Sequence, residues 1–363
     1  MILLGLCFIS LVAFADVDPF NALLWNRENA LAANGQVDRS PWFEWWYYKV
    51  LDPATGHAFF FTYGVINPWD STDTLGGTKS VVEAGEFTNH LLLNDSMPVT
   101  SFKASYDKTF VQIGENTATD QALVGHVVKD GHDMAWNLSL VKNWGFDAMG
   151  WTMKTGSMSG IYWYPAQASA TVNGWIRIDG QTYNLVNAPG YQDRNWGNGF
   201  PKWWTWLVSN EFKNSPGTTL AVGGGEPELL GSVYLFSGLC IGLNYQGKEY
   251  VFRTTDGNDV QFDIHWGKWN VTAQNSTTRL EISAYAPPEK FMMLPFMSPQ
   301  GATFYDYEAL TGQMTVRLLT RATIFSDWTL MDTLETDSAG IEWGTPQPLS
   351  LSGVFNSASI FTK

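Results

Sequence analysis

Cysteine is nearly absent from this chain of 363 residues, which has only Cys7 and Cys240. Because Cys7 lies in a segment that we expect to be removed, the mature chain can form no intramolecular disulfide. The five histidines do not follow metal-ligand spacings, and no paired cysteine set occurs. The glycine run at residues 223–225 lacks the pattern of a phosphate-binding loop, and no Gly-x-Ser-x-Gly sequence is present. We therefore predict no metal and no cofactor.

Basic residues are also scarce. The chain has 21 Lys and Arg against 35 Asp and Glu, which gives a formal net charge of −14. Proteins bind nucleic acids and acidic membranes through Lys and Arg that neutralise phosphates, so neither partner is expected here.

Long hydrophobic runs are missing as well. The longest, residues 2–14, is too short to span a bilayer, so we predict no stable membrane insertion. It has the length of a signal-peptide core and ends at Ala13-Phe14-Ala15, which predicts cleavage near Ala15 and secretion. A short membrane anchor is the alternative. Four Asn-x-Ser/Thr triplets would accept glycans in a eukaryotic secretory route; they begin at Asn94, Asn137, Asn270 and Asn275.

Aromatic residues are abundant instead, with 18 Trp, 14 Tyr and 22 Phe. Each such ring buries roughly 150 to 250 Å² of surface, and core packing normally needs fewer of them. We therefore expect some rings to face a hydrophobic small molecule.

Most of the chain has the pattern of β-strands. Residues 42–48 and 59–63 are aromatic on both faces of the pleat, as expected where one face meets a core and the other a lumen. Turn signals such as Asp179-Gly180 separate many further short apolar runs. Only residues 22–33 read as a helix, between Asn21 and a stop at Asn34-Gly35. These patterns predict an all-β protein of antiparallel sandwiches or barrels with a short N-terminal helix.

The length suggests two domains. The break Ala188-Pro189-Gly190 lies near the middle of the chain. We predict domains at residues 16–188 and 189–363, after a signal peptide at residues 1–15.

The densest polar and aromatic group occupies residues 190–197, which read Gly-Tyr-Gln-Asp-Arg-Asn-Trp-Gly. In a strand, alternate side chains point to opposite faces. The two faces would be Tyr191, Asp193 and Asn195 on one side, and Arg194 and Trp196 on the other. A carboxyl group beside a tyrosine hydroxyl in an apolar lumen has a raised pKa and can remain a proton donor near neutral pH. Alternatively, Asp193 and Arg194 only close a barrel end.

Two further ionisable residues are candidates. Glu44 lies within an aromatic run, where an ionised carboxylate needs a partner, and we expect that partner to be Arg194. The pair would orient the acid site or only seal the barrel. His265 could relay a proton, or be an ordinary core or surface histidine. The aromatic residues that we expect to bind the ligand are Trp46, Tyr48, Trp196, Trp204, Trp206 and Trp266.

Residues 191–197, together with the following segments 200–210 and 221–225, resemble the second half of tocopherol cyclases. Carotenoid 1,2-hydratases and AttH-like proteins form a wider related group, and the Phe-Glu-Trp-Trp-Tyr of residues 43–47 resembles an N-terminal motif of that group. The likeness extends from about residue 41 to residue 321.

This resemblance implies two lipocalin-like β-barrel halves and a reaction that begins by protonating an isolated alkene in a prenyl or polyene chain. Such a step needs a strong acid, a water-poor lumen and aromatic faces that stabilise a carbocation. By position, Asp193 would be the proton donor of a cofactor-independent cyclase or isomerase, with Tyr191 assisting. The typical pattern has Glu at the position of Asp193 and Lys at that of Arg194.

Other functions fit the sequence too. A hydratase would capture the cation with water, and a pericyclic cyclase would chiefly hold a polyene in a reactive fold. A non-catalytic lipocalin-like protein would only carry a lipophilic ligand. A secreted carbohydrate-active protein would use its tryptophans as sugar platforms and paired carboxylates for hydrolysis.

Overall fold

The computed structural model describes residues 20–25, 39–73, 79–154, 158–229, 233–234, 236–350 and 355–356. The predicted signal peptide and most of the predicted helix lie outside these residues. Within them, regular structure is almost entirely β-strand, and four short 3₁₀ segments occur at Val99–Ser101, Gly150–Lys154, Thr254–Asp256 and Pro288–Lys290. No helix in the described part is long and apolar enough to cross a membrane.

Eleven strands form the first sheet. They are β1 (Phe43–Leu51), β2 (Ala58–Ile66), β3 (Lys79–Glu86), β4 (Leu91–Met97), β5 (Phe102–Ala104), β6 (Phe110–Ile113), β7 (Asn116–Thr119), β8 (Ala122–Lys129), β9 (His132–Trp144), β10 (Ile161–Ile178) and β11 (Gln181–Gly197). Their spatial order is β4-β3-β2-β1-β11-β10-β9-β8-β7-β6-β5. Strands β4 and β8 contact each other although they are far apart in this order, so the sheet curls back on itself.

The later strands form a second sheet and a small hairpin. They are β12 (Trp204–Ser209), β13 (Thr219–Gly225), β14 (Glu228–Leu229), β15 (Val233–Tyr234), β16 (Gly238–Tyr245), β17 (Lys248–Arg253), β18 (Asp259–His265), β19 (Lys268–Gln274), β20 (Thr278–Tyr285), β21 (Met292–Met297), β22 (Thr303–Thr320), β23 (Thr329–Thr345) and β24 (Phe355–Asn356). The main order is β17-β16-β13-β12-β23-β22-β20-β19-β18. Strand β21 pairs with β22 and β24, and β14 pairs with β15.

Each sheet encloses its own apolar core, and a third cluster lies between the two sheets. Strand β2 shows why its sequence is aromatic on both faces. Phe59 and Phe61 point into the first core, whereas Phe60 belongs to the cluster between the sheets. All nine residues of β2 are therefore buried. The all-β class with two barrel-like halves is confirmed.

In the part of the predicted N-terminal helix that the structure describes, residues 22–25, no helix is found. Residues 20–25 form turn and coil, and the rest of the predicted segment, residues 26–33, lies outside the described residues. The backbone N–H of Leu23 donates to the carbonyl of Ser105 at 2.9 Å, and the N–H of Leu24 donates to the carboxylate of Glu44. These contacts hold the segment against the first sheet in a non-helical conformation.

The chain passes from the first sheet to the second between Gly197 and Trp204. This crossing comes later than the predicted division at residues 188 and 189, because β11 continues through that point as one strand and pairs with both β1 and β10. The division into domains stays a prediction.

Candidate functional site

A cavity of about 450 Å³ lies between the two sheets. The first sheet lines it with Trp45, Tyr47, Trp163, Asp193 and Asn195, and the second with Trp204, Trp206, Gly223, Asp306, Glu308 and Glu342. At its edge are two exposed aromatic side chains, Trp151 and Phe236. The sequence predicted strands with one face on a core and the other on a lumen. In the structure that lumen is the space between the two sheets, whereas large apolar side chains fill the interior of each barrel.

The carboxyl group of Asp193 is buried, with 4% of the residue exposed. Its Oδ2 accepts hydrogen bonds from the Nε1 of Trp163 and the hydroxyl of Tyr191, both at 2.8 Å. Its Oδ1 accepts a longer bond, 3.3 Å, from the Nδ2 of Asn195. Burial raises the pKa of Asp193 from 3.8 to about 7, although the bonds from Trp163 and Tyr191 act in the opposite direction. All three donors are uncharged, so the carboxyl group can carry a proton near neutral pH.

Tyr191 links the acid to the second sheet. Its hydroxyl donates to Asp193 and accepts a bond of 2.9 Å from the Nε1 of Trp206 on β12. Burial and the nearby Asp193 raise the pKa of Tyr191 well above its ordinary value. The phenol therefore keeps its proton and acts as a fixed donor.

Glycines let the large rings approach the strands. A Cβ added to Gly223 would lie 2.7 Å from the ring of Trp163, and one added to Gly340 would overlap the ring of Trp206. The glycine run at residues 223–225 is thus part of the cavity wall, where only a residue without a side chain fits under the indole.

Three acidic residues on the second sheet were missed from the sequence. Asp306 and Glu308 alternate along β22, and Glu308 lies directly opposite Glu342 of β23. Burial and the neighbouring carboxylates raise the pKa of all three well above their ordinary values. The sequence Tyr305-Asp306-Tyr307-Glu308 could have predicted an acidic strand face, because residues two apart in a strand point to the same side.

Neutral donors also hold these carboxyl groups. The Nε1 of Trp204 donates to Asp306, at 3.2 Å, and to Glu342, and the hydroxyl of Tyr47 donates to Glu308. Among the residues described, no three His, Cys, Asp or Glu side chains are arranged to hold a metal ion.

A buried lysine lies near this wall. Lys49 is 4% exposed, and its Nζ donates to the carbonyl of Ser338 at 3.3 Å. Burial lowers the pKa of Lys49 to about 8, against the attraction of Glu308 and Glu211. Its positive charge favours the ionised form of Glu308.

The predicted ion pair between Glu44 and Arg194 is present, and both side chains are fully buried. It lies on the opposite face of β1 and β11 from Asp193. The guanidinium carbon of Arg194 lies 4.4 Å from the centre of the Trp46 ring and 5.3 Å from that of Trp196. Glu44 also accepts the Nε1 of Trp42 at 2.8 Å. These contacts form a closed cluster that does not line the cavity.

The predicted ligand-binding residues also fall into two groups, those that line the cavity and those that do not. Trp204, Trp206 and the supporting Asn195 line the cavity. The other predicted ligand-binding residues do not line the cavity; they are Trp46, Tyr48, Trp196 and Trp266. The supporting His265 does not line it either. Even-numbered residues of β1 and β11 point away from the cavity because of the strand alternation.

His265 and Trp266 lie at the turn between β18 and β19. His265 is exposed, and its Nε2 lies 3.7 Å from the carboxylate of Asp263. Trp266 packs on Phe291 and Tyr307 at the second core. Neither contacts Asp193, so this geometry gives no route for the expected proton relay.

Comparison with known proteins points to one family. A family model described as tocopherol cyclase-like matches residues 118–345. The chain is 27% identical over 297 residues to a protein from Oryza sativa subsp. japonica assigned as a chloroplastic tocopherol cyclase, covering 67% of this chain and 63% of that protein. It is also 27% identical over 298 residues to the chloroplastic tocopherol cyclase of Zea mays, covering 67% and 62%. The match thus spans less than two thirds of each relative.

The fold also resembles solved structures. A Nitrosomonas europaea protein assigned to AttH superposes with a TM-score of 0.50 at 14% identity, covering 92% of this chain and 99% of that one. At this level of identity the likeness concerns the fold alone.

Proposed function

Because the chain belongs to the tocopherol cyclase-like family, we propose that it is a cofactor-independent enzyme of the cyclase, isomerase or hydratase kind. Its substrate would be a hydrophobic molecule with a prenyl or polyene chain. The reaction would begin when Asp193 donates its proton to an isolated alkene. Secretion after cleavage near Ala15 remains part of the proposal.

One observation carries this proposal: a carboxyl group with a pKa of about 7 faces an aromatic cavity and has only neutral hydrogen-bond donors. An ion pair would hold an aspartate as the carboxylate, which has no proton to give. Near neutral pH, by contrast, a substantial fraction of Asp193 is protonated. This match between pKa and working pH is what general acid catalysis requires.

The cavity suits the cation that protonation creates. When the O–H bond of Asp193 breaks and a C–H bond forms, positive charge develops on the more substituted alkene carbon. The rings of Trp45, Trp163 and Trp206 line the space around Asp193, and the face of an aromatic ring attracts a cation. A mostly apolar wall also limits access of water, which would otherwise capture the cation early.

Two outcomes for the cation are compatible with this site. Attack by a hydroxyl of the substrate closes a ring, whereas attack by water gives a hydrated product. The identity of the nucleophile therefore separates a cyclase from a hydratase. The proposal includes both.

The test uses a prenylated hydroquinone with a trisubstituted alkene, incubated with the purified protein in D₂O. We expect deuterium at the protonated carbon and a ring or hydrated product, both measured by mass spectrometry. The variant Asp193→Asn keeps the shape of the side chain but has no acidic proton, so turnover should fall by about 10²- to 10⁴-fold. The matched control is Asp107→Asn, which changes an exposed aspartate.

A lipid carrier gives a different result. It would retain the hydroquinone without turnover, and Asp193→Asn would bind it as the wild type does. Equal turnover by wild type and Asp193→Asn would contradict the assignment of Asp193 as the acid.

A further inference from the structure

The two walls of the cavity carry carboxyl groups with different surroundings. On the first sheet, Asp193 has the neutral donors Trp163 and Tyr191. On the second sheet, the Nε1 of Trp204 donates to both Asp306 and Glu342, which places the two carboxyl groups side by side. Two adjacent buried carboxyl groups can share one proton, because two carboxylates close together repel each other. When the pair holds one proton, it has one negative charge and can accept one more proton.

The proposed reaction needs a proton acceptor as well as a donor. When a hydroxyl or water oxygen forms a bond to the cation, its O–H bond must break and the proton must go to a base. An alkene that lies across the cavity has one face toward Asp193 and the other toward the second sheet. A base on the second sheet would serve an oxygen that attacks the face opposite to the one that was protonated.

We propose that the Asp306–Glu342 pair is this base, so that acid and base stand on opposite walls of one cavity. The inference rests on the proposed function of Asp193. The proton balance closes: one proton leaves Asp193 for carbon, one leaves the attacking oxygen for the pair, and exchange with water restores both groups.

Electrostatic coupling supports the division of roles. The negative charge of Asp193 raises the pKa of Glu342, and that of Glu308 raises the pKa of Asp306, after the larger effect of burial. When Asp193 gives up its proton, its new charge therefore strengthens the base across the cavity. Lys49 favours the ionised form of Glu308, and the negative charge of Glu308 makes Asp306 in the pair a stronger base.

The experiment compares Asp306→Asn and Glu342→Gln with wild type, using the same prenylated hydroquinone in D₂O. Both variants keep an oxygen that can accept the N–H of Trp204 and remove one of two repelling acids, so the melting temperature should not fall. Protonation by Asp193 should persist, and deuterium should still enter the carbon skeleton. The single carboxyl group that remains no longer has its neighbour's charge to raise its pKa and is a weaker base. The cation should instead lose a proton from carbon to the Asp193 carboxylate. The ratio of oxygen-captured product to isomerised alkene should then fall at least about tenfold.

The matched control is Glu335→Gln, an exposed glutamate on the same strand as Glu342, which should keep the wild-type ratio. An unchanged ratio in both Asp306→Asn and Glu342→Gln would overturn the base and leave Asp193 as the acid. If wild type incorporates no deuterium at carbon, the proposed function fails, and the base fails with it. If Asp306→Asn or Glu342→Gln abolishes deuterium incorporation, the pair acts before capture, and the assignment as acceptor is overturned.

Discussion

Two buried polar clusters lie back to back on strand β11, and adjacent residues belong to different clusters. Arg194 points into the first barrel, where it pairs with Glu44 and packs on two tryptophans. Asp193 points into the cavity between the sheets, where only neutral groups donate to it. Burial is nearly the same at both positions. The clusters differ in whether an opposite charge is present.

That difference separates structural from chemical roles. In the Glu44–Arg194 cluster each charge compensates the other, and neither group has reason to change its protonation state. In the Asp193 cluster no cation compensates the carboxylate, so burial favours the protonated form. A sequence can thus place a stabilising pair and a titrating acid one residue apart, because β-strand alternation sends them to different environments.

The largest effect should come from breaking the charged cluster. We expect Arg194→Met to lower the free energy of unfolding by about 3 to 5 kcal/mol, because it leaves the Glu44 carboxylate buried without its partner. The double variant Glu44→Gln with Arg194→Met should recover part of this loss. Urea denaturation followed by tryptophan fluorescence measures both.

The control for this comparison is Arg177→Met, which changes an exposed arginine beside Trp175. It should change the free energy of unfolding only slightly. Asp193→Asn should leave stability at pH 7 unchanged or higher, because it removes a carboxyl group that is costly to ionise. If Asp193→Asn lowered the free energy of unfolding as much as Arg194→Met does, the Asp193 cluster would be as important for stability as the Glu44–Arg194 pair. That result would contradict the distinction between a structural and a chemical cluster.

The next effect concerns pH. The folded protein keeps the proton of Asp193 up to a pKa of about 7, whereas the unfolded chain releases it near 3.8. The folded state therefore binds more protons in this window, and the free energy of unfolding decreases as the pH rises. We expect Asp193 alone to contribute a decrease of about 3 kcal/mol between pH 5 and pH 8. Asp193→Asn should remove that part of the slope.

Denaturation at several pH values checks this expectation, with Asp107→Asn as the control that keeps the full slope. Turnover should follow the same group and decline as the pH rises through about 7, because the proton donor is lost. An acid limb instead of an alkaline one would contradict the role of Asp193.

The sequence predicted local features better than distant ones. Period-two alternation correctly separated Asp193 from Arg194, and the aromatic runs correctly indicated strands buried on both faces. The pairing of Glu44 with Arg194 was also confirmed, since a buried charge needs a partner. Each of these inferences depends on neighbouring residues or on one strong physical requirement.

The features that were missed depend on long-range pairing. Asp306 and Glu342 reach the site only because β22 pairs with β23 and β23 with β12, which brings residues more than a hundred positions from Asp193 to the same cavity. Trp266 was expected at the ligand but packs at the second core. A tryptophan in an aromatic strand looks the same in sequence whether it faces a core or a cavity. Strand register decides between them.

The smallest predicted effect concerns Tyr191, which positions and tunes Asp193. Tyr191→Phe removes a hydrogen bond that lowers the pKa of Asp193 and leaves the bond from Trp163. The pKa of Asp193 should therefore rise, and the alkaline limb of the pH profile should move upward. Turnover below that limb should fall by roughly tenfold, because a weaker acid transfers its proton more slowly. The exposed Tyr285→Phe is the matched control. An alkaline limb that stays in place, or moves to lower pH, would mean that Tyr191 does not tune the pKa of Asp193. Tyr191 would then have only a structural role, like the residues of the Glu44–Arg194 cluster.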